Sequence, residues 1–545
     1  MPPLREQNER GDRIGVSAAL RFLSVLILAS WVLLAGNASL AQSGGLVVEG
    51  IQDFQVLPYK EYWASISFAV NVRGSVSAEL TAAEDGRIVR TQSWEAAADS
   101  AGASPAERRG SPLPGPGPLR RLMLEKLPIG GPYTLRIASG DDVAIFQNLL
   151  VGEIWVVGGG DNAIGAPARR NPRSIPQVHF LRDGRWQEGA PPLFETLEDV
   201  PAGEAADDKT RVSPWFYGAR HYYQYHGIPV GLMGWAEPGA PMERFWDRAG
   251  AEMPRFKKLV ETHGVGAAVF GWYQGEADAH PLGIASYAER LKAAAAVLRR
   301  YAQNPEMTVV VAQLSCLPVA DGRPPTPYFG RIRDIQRRFC EEDARAIVVP
   351  TMHYSHRDAL CLDGSGVEDL GRSIGEALIL AKTSGQPAWP GPRAAKAQFT
   401  DETRRRVVVV FDNAKQLVAS SGGAASRDWL VTDGKHLGYP GASYPATGGA
   451  TMTLEVTGAE IAAVQTSKDG RRLHVTLKNT GCIRVMSVSV HGERDFLLDL
   501  AEPALPGAML SYATMSDSRG SLRNREGLYC PAFADMPIEE PPREK

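Results

Sequence analysis

Gly158-Gly159-Gly160-Asp161-Asn162 directly follows the apolar run Ile154-Trp155-Val156-Val157, so a carboxylate stands just past the end of a strand, within a turn of small residues. A glycine-rich turn after a strand invites a dinucleotide reading, because Gly158, Gly160 and Ala163 fit G-x-G-x-x-A. That reading needs a helix whose first amides hold a pyrophosphate. Gly165, Pro167, Pro172 and Pro176 follow at once and argue against such a helix. Two further carboxylates, Glu276 and Asp278, lie in Trp272-Tyr273-Gln274-Gly275-Glu276-Ala277-Asp278, after a second apolar run. Together with Asp161 they could bind a hard cation or share protons through raised pKa values. The plainer expectation is that Gln274 and Glu276 are scaffolding and Asp278 holds loop backbone, with no metal and no cofactor. His353 and His356, a few residues upstream of Cys361, read as polar loop residues, the alternative being that one swings in as a base.

The elements that position these residues fall into three parts. Between Leu46 and Asn148, alternating segments such as Trp63 to Val70 and Tyr133 to Ile137 are separated by Gly-, Asp- and Pro-containing turns, the pattern of a β-sandwich over 42–150. Residues 96–119, rich in Ala, Ser, Pro and Gly, read as a surface loop. From 151 to 385, apolar strands at 154–157, 228–233, 267–272, 308–314 and 346–349 alternate with helices near 213–226, 252–263, 286–302, 328–341 and 367–381. Five such units imply an α/β fold, a parallel five-stranded sheet with helices on both faces, whose ligands bind beyond the strands' carboxyl ends. Asp161 lies at that edge. After the proline-rich segment 386–392 alternation returns, giving a C-terminal β-rich domain over 386–545.

Composition narrows the partners. With 545 residues, 44% hydrophobic and 22% charged, the chain has ordinary globular composition and is too long for one core. A net charge of -3 gives no electrostatic case for nucleic acid. Arg5, Arg10, Arg13 and Arg21, the apolar stretch Phe22 to Ala35 and Ser39-Leu40-Ala41 make 1–41 a signal peptide, implying export to the periplasm or medium with no membrane span after cleavage. The five cysteines show no metal or CxxC spacing; Cys482 and Cys530 could pair in an oxidising compartment.

The chain resembles the SGNH hydrolase superfamily, and within it the sialate O-acetylesterase-like group. Gly152-Glu153-Ile154-Trp155 leading into Gly159-Gly160-Asp161-Asn162 resembles that group's G-[DE]-V-W strand and G-Q-S-N turn; Trp272 to Asp278 resembles its W-Y-Q-G-E-[SA]-[ND] block. Ile228 to Gly231, the turn Pro238-Gly239-Ala240-Pro241, Arg333 with Gln336, and Leu522 to Phe533 resemble further blocks in the same order. The resemblance implies a flavodoxin-like SGNH domain, an acetylated carbohydrate or glycan as partner, and removal of O-acetyl groups from sugars. It places Asp161 where the nucleophilic serine belongs, and Gly239, Asn162, Gln274, Glu276 and Asp278 around the oxyanion and substrate. Asp358 matches the aspartate of the group's D-x-x-H frame, which puts Cys361 at the histidine position; another spacing puts Asp363 there. Neither replaces a histidine base for a serine. A carboxylate is a weak nucleophile toward an acetyl ester, and Asp161 would fill the hole as bound acetate does. The expectation is weak or lost serine-type activity in an exported esterase-like protein, the alternative being a non-catalytic glycan-binding protein. Trp235, Trp246, Trp272 and Tyr273 are candidates to stack on a sugar ring.

Overall fold

The computed structural model describes residues 46–96, 119–168, 172–194, 211–246, 253–317, 328–418, 428–433, 441–445, 460–466, 472–478 and 481–541. The expected signal segment and nearly all of the 96–119 loop lie outside the described residues.

One strand, Asp142–Gly159, organises the first two parts of the chain. Its first half alternates, with Ala144 and Phe146 inward and Ile145 and Gln147 outward, and pairs antiparallel with Gly130–Ser139. From Leu149 to Gly159 every side chain is buried, as a strand covered on both faces requires. This half runs parallel to Val230–Ala236 on one side and Val269–Tyr273 on the other. The boundary expected between 150 and 151 therefore falls inside a continuous strand, and the N-terminal sheet is hydrogen-bonded into the central one. The N-terminal part encloses its own core, including Ile66, Phe68, Leu124, Leu135 and Ile137, between that sheet and a three-stranded sheet of Val48–Glu49, Trp63–Val70 and Arg120–Pro128.

The central sheet runs Val178–Arg182, Val230–Ala236, Asp142–Gly159, Val269–Tyr273, Thr308–Ala312, Ala346–Val349, all parallel. It thus has six parallel strands rather than five. The extra one is only five residues long and turns straight into Arg185–Glu188, its antiparallel neighbour, through Asp183-Gly184. An Asp-Gly turn signals a local hairpin and conceals the parallel pairing on the other side.

Helices cover both faces. A Cβ on Gly271 would meet the Trp215 ring at 2.5 Å, on the face of the Pro214–His226 helix; one on Gly158 would meet Phe256 at 2.5 Å, on the face of the Pro254–His263 helix. Pro214–His226 begins on a Ser213 cap and ends at Gly227 in the left-handed region. It packs against Gly364–Ser384 backbone to backbone, since a Cβ on Gly371 would lie 2.6 Å from the Pro214 carbonyl. Of the aromatics crowding it, Trp215, Phe216 and Tyr222 are core, whereas Tyr225 is exposed.

The C-terminal part is built on an eight-stranded sheet, with a two-stranded and a three-stranded sheet beside it in sequence, and has its own core including Val407, Val409, Phe411, Phe496 and Leu498. Buried Arg333, on the Tyr328–Glu342 helix, bolts it to the central domain. Its guanidinium donates to the carbonyls of Leu314 (2.9 Å), Ser315 (2.6 Å), Ala513 (2.8 Å), Met515 (2.8 Å) and Ser516 (3.3 Å). Gln313 adds a reciprocal pair with Ala532, donating to its carbonyl at 3.1 Å and accepting from its N–H at 2.9 Å. None of the five cysteines is in a disulfide, so Cys482 and Cys530 are not paired with each other. Among the described residues no helix is long and apolar enough to cross a membrane.

Candidate active site

The glycine-rich turn is shaped by close approach of backbones. Gly159 has φ +142°, and a Cβ there would sit 1.9 Å from the Tyr273 carbonyl oxygen. Gly160 N–H donates to that same carbonyl at 2.9 Å, joining the turn to the neighbouring strand. One turn of helix follows, Asp161–Ile164, where none was expected; Gly165, with φ +100°, ends it at once. Four residues form no phosphate-binding helix.

Asp161 Oδ2 accepts a hydrogen bond from Gly239 N–H at 2.8 Å. Gly239 lies in the left-handed region, φ +62°, within the turn between Val230–Ala236 and the short helix Met242–Phe245. That turn is clamped from beneath. Asp278 Oδ2 accepts from Met242 N–H (2.7 Å) and Gln274 Nε2 (2.6 Å), and Gln274 Nε2 also donates to the Ala240 carbonyl (2.9 Å). Gln274 is fixed in turn, its carbonyl accepting from Tyr287 hydroxyl (2.7 Å) and Gln336 Nε2 (3.0 Å). The helix carrying Arg333 and Gln336 therefore positions Gln274, Gln274 and Asp278 position the turn, and the turn aims Gly239 N–H at Asp161.

Asn162, expected at the oxyanion or substrate, is instead a clasp. Its Nδ2 donates to Glu276 Oε1 (3.1 Å) and to the Leu360 carbonyl (2.9 Å), and its Oδ1 accepts from Leu362 N–H (2.9 Å). Both amide hydrogens are committed, leaving none for a developing charge. Gln274 and Asp278 are likewise committed to the turn. The three acidic residues do not converge as ligands; each is spent on separate donors, and among the described residues no group of three metal-binding side chains forms.

The loop before the Gly364–Ser384 helix brings Cys361 toward Asp161. Asp358 Oδ1 accepts from Leu360 N–H (2.8 Å) and Cys361 N–H (2.7 Å), which fixes the backbone at 361. Burial resists ionisation of Asp358, but those two N–H groups and Arg357 outweigh it and lower its pKa. Asp363 caps the helix, its Oδ1 accepting from Ser365 N–H, Gly366 N–H and Ser355 hydroxyl. A carboxylate so engaged is not a base.

Burial, then the charges of Asp161 and Asp358, push the Cys361 thiol up to about 12, so it is neutral at pH 7. Burial likewise raises Glu276 to about 7, with Asp161 adding to the rise and the Asn162 hydrogen bond opposing it.

The histidines are elsewhere. His353 stacks on Tyr529 with centroids 3.4 Å apart, and burial lowers its pKa to about 3. His356 Nε2 lies 2.8 Å from Ser315 Oγ, a serine and imidazole contact that sequence reasoning missed. The signal for it was present, since Ser315 and His356 both follow strands at the carboxyl edge. Ser315 is two strands away from Asp161 in the sheet, roughly 10 Å at the usual strand spacing. It is 3% exposed, its hydroxyl also lies 3.2 Å from the Thr351 carbonyl, and Arg333 ties its backbone to residues 513–516. Ser315 is buried and His356 half-buried, and the pair joins two loops at the carboxyl edge of the one central sheet. Among the described residues, no imidazole is hydrogen-bonded to Asp161.

The aromatic candidates are largely core. Trp272 and Tyr273 are fully buried, and Trp235 packs on Phe245 and Phe256 with Arg255 over its ring at 4.9 Å.

Residues 151–380 match the family model described as carbohydrate esterase, sialic acid-specific acetylesterase. No curated protein matches the chain. Among solved structures, a carbohydrate acetylesterase from Xanthomonas citri is similar at 15% identity and a TM-score of 0.57, covering 89% of this chain and 98% of its own. That likeness of fold extends through the flanking β-rich parts. A carbohydrate acetylesterase from Sinorhizobium meliloti, at 10% identity and a TM-score of 0.27, covers 42% of this chain and 98% of its own. An Arabidopsis thaliana protein, at 19% identity and a TM-score of 0.35, covers 42% and 97%. Residues 151–380, with the turn that carries Asp161, are therefore similar to the sialic acid-specific acetylesterase family of carbohydrate esterases.

Proposed function

We propose that the chain is an exported carbohydrate esterase-like protein that engages O-acetylated sugars at the Asp161 cleft with weak or lost serine-type turnover. The observation that carries this reading is the 2.8 Å hydrogen bond from Gly239 N–H to the Asp161 carboxylate. Ester cleavage of the serine type needs an attacking hydroxyl, an imidazole to take its proton, and free amide donors for the oxyanion. Asp161 stands in the serine's place and occupies a donor with its own carboxylate, as acetate would. Cys361 stands in the histidine's place with a neutral, buried thiol. Attack by Asp161 on an acetyl ester would form a mixed anhydride, and the carboxylate is already held by Gly239. The limiting form of the reading is a glycan-binding pseudo-esterase, favoured by the intact clamp of Gln274, Asp278 and Gln336: the turn is still built, though the groups that would use it are not.

The strand order of the parallel sheet, with the first strand central, supports the flavodoxin-like reading of the domain. The Arg-rich, apolar and small-residue succession over 1–41 supports export to the periplasm or medium. The net charge of -3 supports a neutral or weakly charged partner and not nucleic acid. Isothermal calorimetry with O-acetylated sugars and their deacetylated counterparts tests the proposal: preference for the acetylated forms supports it, and equal or absent binding to both removes it.

A further inference from the structure

The edge of the central sheet opposite Asp161 carries a cleft of about 770 Å³. Small-molecule sites usually occupy about 300–1,000 Å³. One wall is the N-terminal segment Tyr59-Lys60-Glu61; the other is Gln303 to Glu306 with Arg345, and the end of the Gly364–Ser384 helix closes it. The site lies where the sandwich and the central domain meet, a usual place for a ligand. Its floor is Glu153, eight residues before Asp161 on the long strand and so roughly 20 Å or more away.

The floor is rigid and polar. Glu153 Oε1 accepts from Tyr222 hydroxyl (2.9 Å), Lys382 Nζ (3.0 Å) and Tyr59 hydroxyl (3.2 Å), and Oε2 accepts from Trp155 Nε1 (3.1 Å). The lining charges cancel: Lys60, Arg345 and Lys382 face Glu61, Glu153 and Glu306, with Lys382 paired to Glu153 and Arg345 to Glu306. No surplus charge is left to hold an ionic ligand.

The wall segment Tyr59-Lys60-Glu61 runs on into two aromatics, Tyr62 and Trp63. The chain reverses between Lys60 and Trp63, with Lys60 N–H donating to the Trp63 carbonyl (2.9 Å), Trp63 N–H to the Lys60 carbonyl (3.2 Å), and Glu61 at φ +60°. This tight turn holds Tyr62 and Trp63 74% and 51% exposed, next along the chain from the lining residue Glu61. Two large rings displayed on a fixed turn, next to a neutral polar recess, complement a ligand with apolar ring faces and a hydroxyl-bearing rim.

We propose that this cleft and the adjoining turn bind a neutral oligosaccharide, one sugar ring stacked on Tyr62 or Trp63 and the next reaching the polar recess. The site is separate from the Asp161 cleft and does not depend on it. Affinity electrophoresis of the full chain through gels containing mixed-linkage β-glucan, xylan, galactomannan or dextran, with polygalacturonate as the anionic control, tests it. Retardation by at least one neutral polymer is expected, weakened at least tenfold in the Y62A/W63A double variant while Tm stays unchanged, because both side chains are exposed. No retardation by any neutral polymer, or retardation that survives the double substitution, overturns the proposal. Binding of acetylated sugars in calorimetry would persist in the double variant in either case, which keeps the two readings apart.

Discussion

Substituting Asp161→Ser and Cys361→His together asks whether the cleft retains what an esterase needs besides these two groups. Removing the carboxylate frees Gly239 N–H, now 2.8 Å from Asp161 Oδ2, and one such donor is worth about 10²–10³ in rate, or about 2.7–4 kcal/mol of barrier. A positioned base contributes about 10²–10⁴ more. The backbone that would carry it is already fixed, with Asp358 accepting from Cys361 N–H at 2.7 Å. Hydrolysis of p-nitrophenyl acetate by the double variant should exceed that of the parent by at least about 10²-fold, the lower bound for the donor alone. A fluorophosphonate should label position 161. The single change Asp161→Ser frees the same donor but should fall about 10²–10⁴ below the double variant, since burial, the largest cause of the high Cys361 pKa, persists and leaves the thiol unable to take a proton. Equal rates for the single and double variants would refute this reasoning, because a base other than position 361 would then be at work. An inert double variant with unchanged Tm would also refute it, showing that the cleft has lost other parts.

Arg333→Met leaves five carbonyl acceptors without their donor, at about 1–3 kcal/mol for each group that finds no replacement, so calorimetric unfolding should show a loss of at least about 3 kcal/mol, and a loss under about 1 kcal/mol would contradict the bolt. Asp278→Ala strands Met242 N–H and one of the two Gln274 amide hydrogens and should cost about 2–4 kcal/mol in chemical denaturation, with Asp278→Asn recovering most of it because an acceptor oxygen remains. Glu276 is raised to about 7, so the folded state binds its proton more tightly than the unfolded state does. This contribution to stability is complete below about pH 4.5 and declines as pH rises to about 7. Urea titrations should show the advantage of Glu276→Gln over the parent growing by up to about 3 kcal/mol between pH 4.5 and 8, and a flat difference would contradict the burial assigned to Glu276.

The helices and most of the parallel sheet were legible because a covered strand and an amphipathic helix impose strong patterns on sequence. Ile154 to Val157 and Thr308 to Ala312 are continuous apolar runs, and Ser213-Pro214 announces a helix start. Val178–Arg182 was not legible, because its partner Val230–Ala236 is about fifty residues away while its hairpin partner is adjacent. The continuity of Asp142–Gly159 was hidden for a related reason: a strand that alternates in one sheet and is wholly apolar in the next looks like two elements. At the site, Asp161, Gly239 and Cys361 were visible as positions in a resembling pattern. The clasp made by Asn162 was not, since a hydrogen-bond partner two hundred residues distant leaves no trace in spacing, whereas the Asp363 cap is local, to Ser365 and Gly366, and is masked because the resembling pattern offers that residue as a stand-in for the histidine. Ser315 and His356 meet for the same reason, through the sheet edge and not through the chain.

Hydrolysis of an activated acetyl ester by the unmodified chain, followed by intact-mass analysis of the quenched protein, tests most directly whether a carboxylate at 161 disables acyl transfer. No acetyl adduct is expected, and the residual rate should be the same in the parent, Asp161→Ala and Ser315→Ala. A trapped acetyl group, or a rate abolished by either substitution, would contradict it.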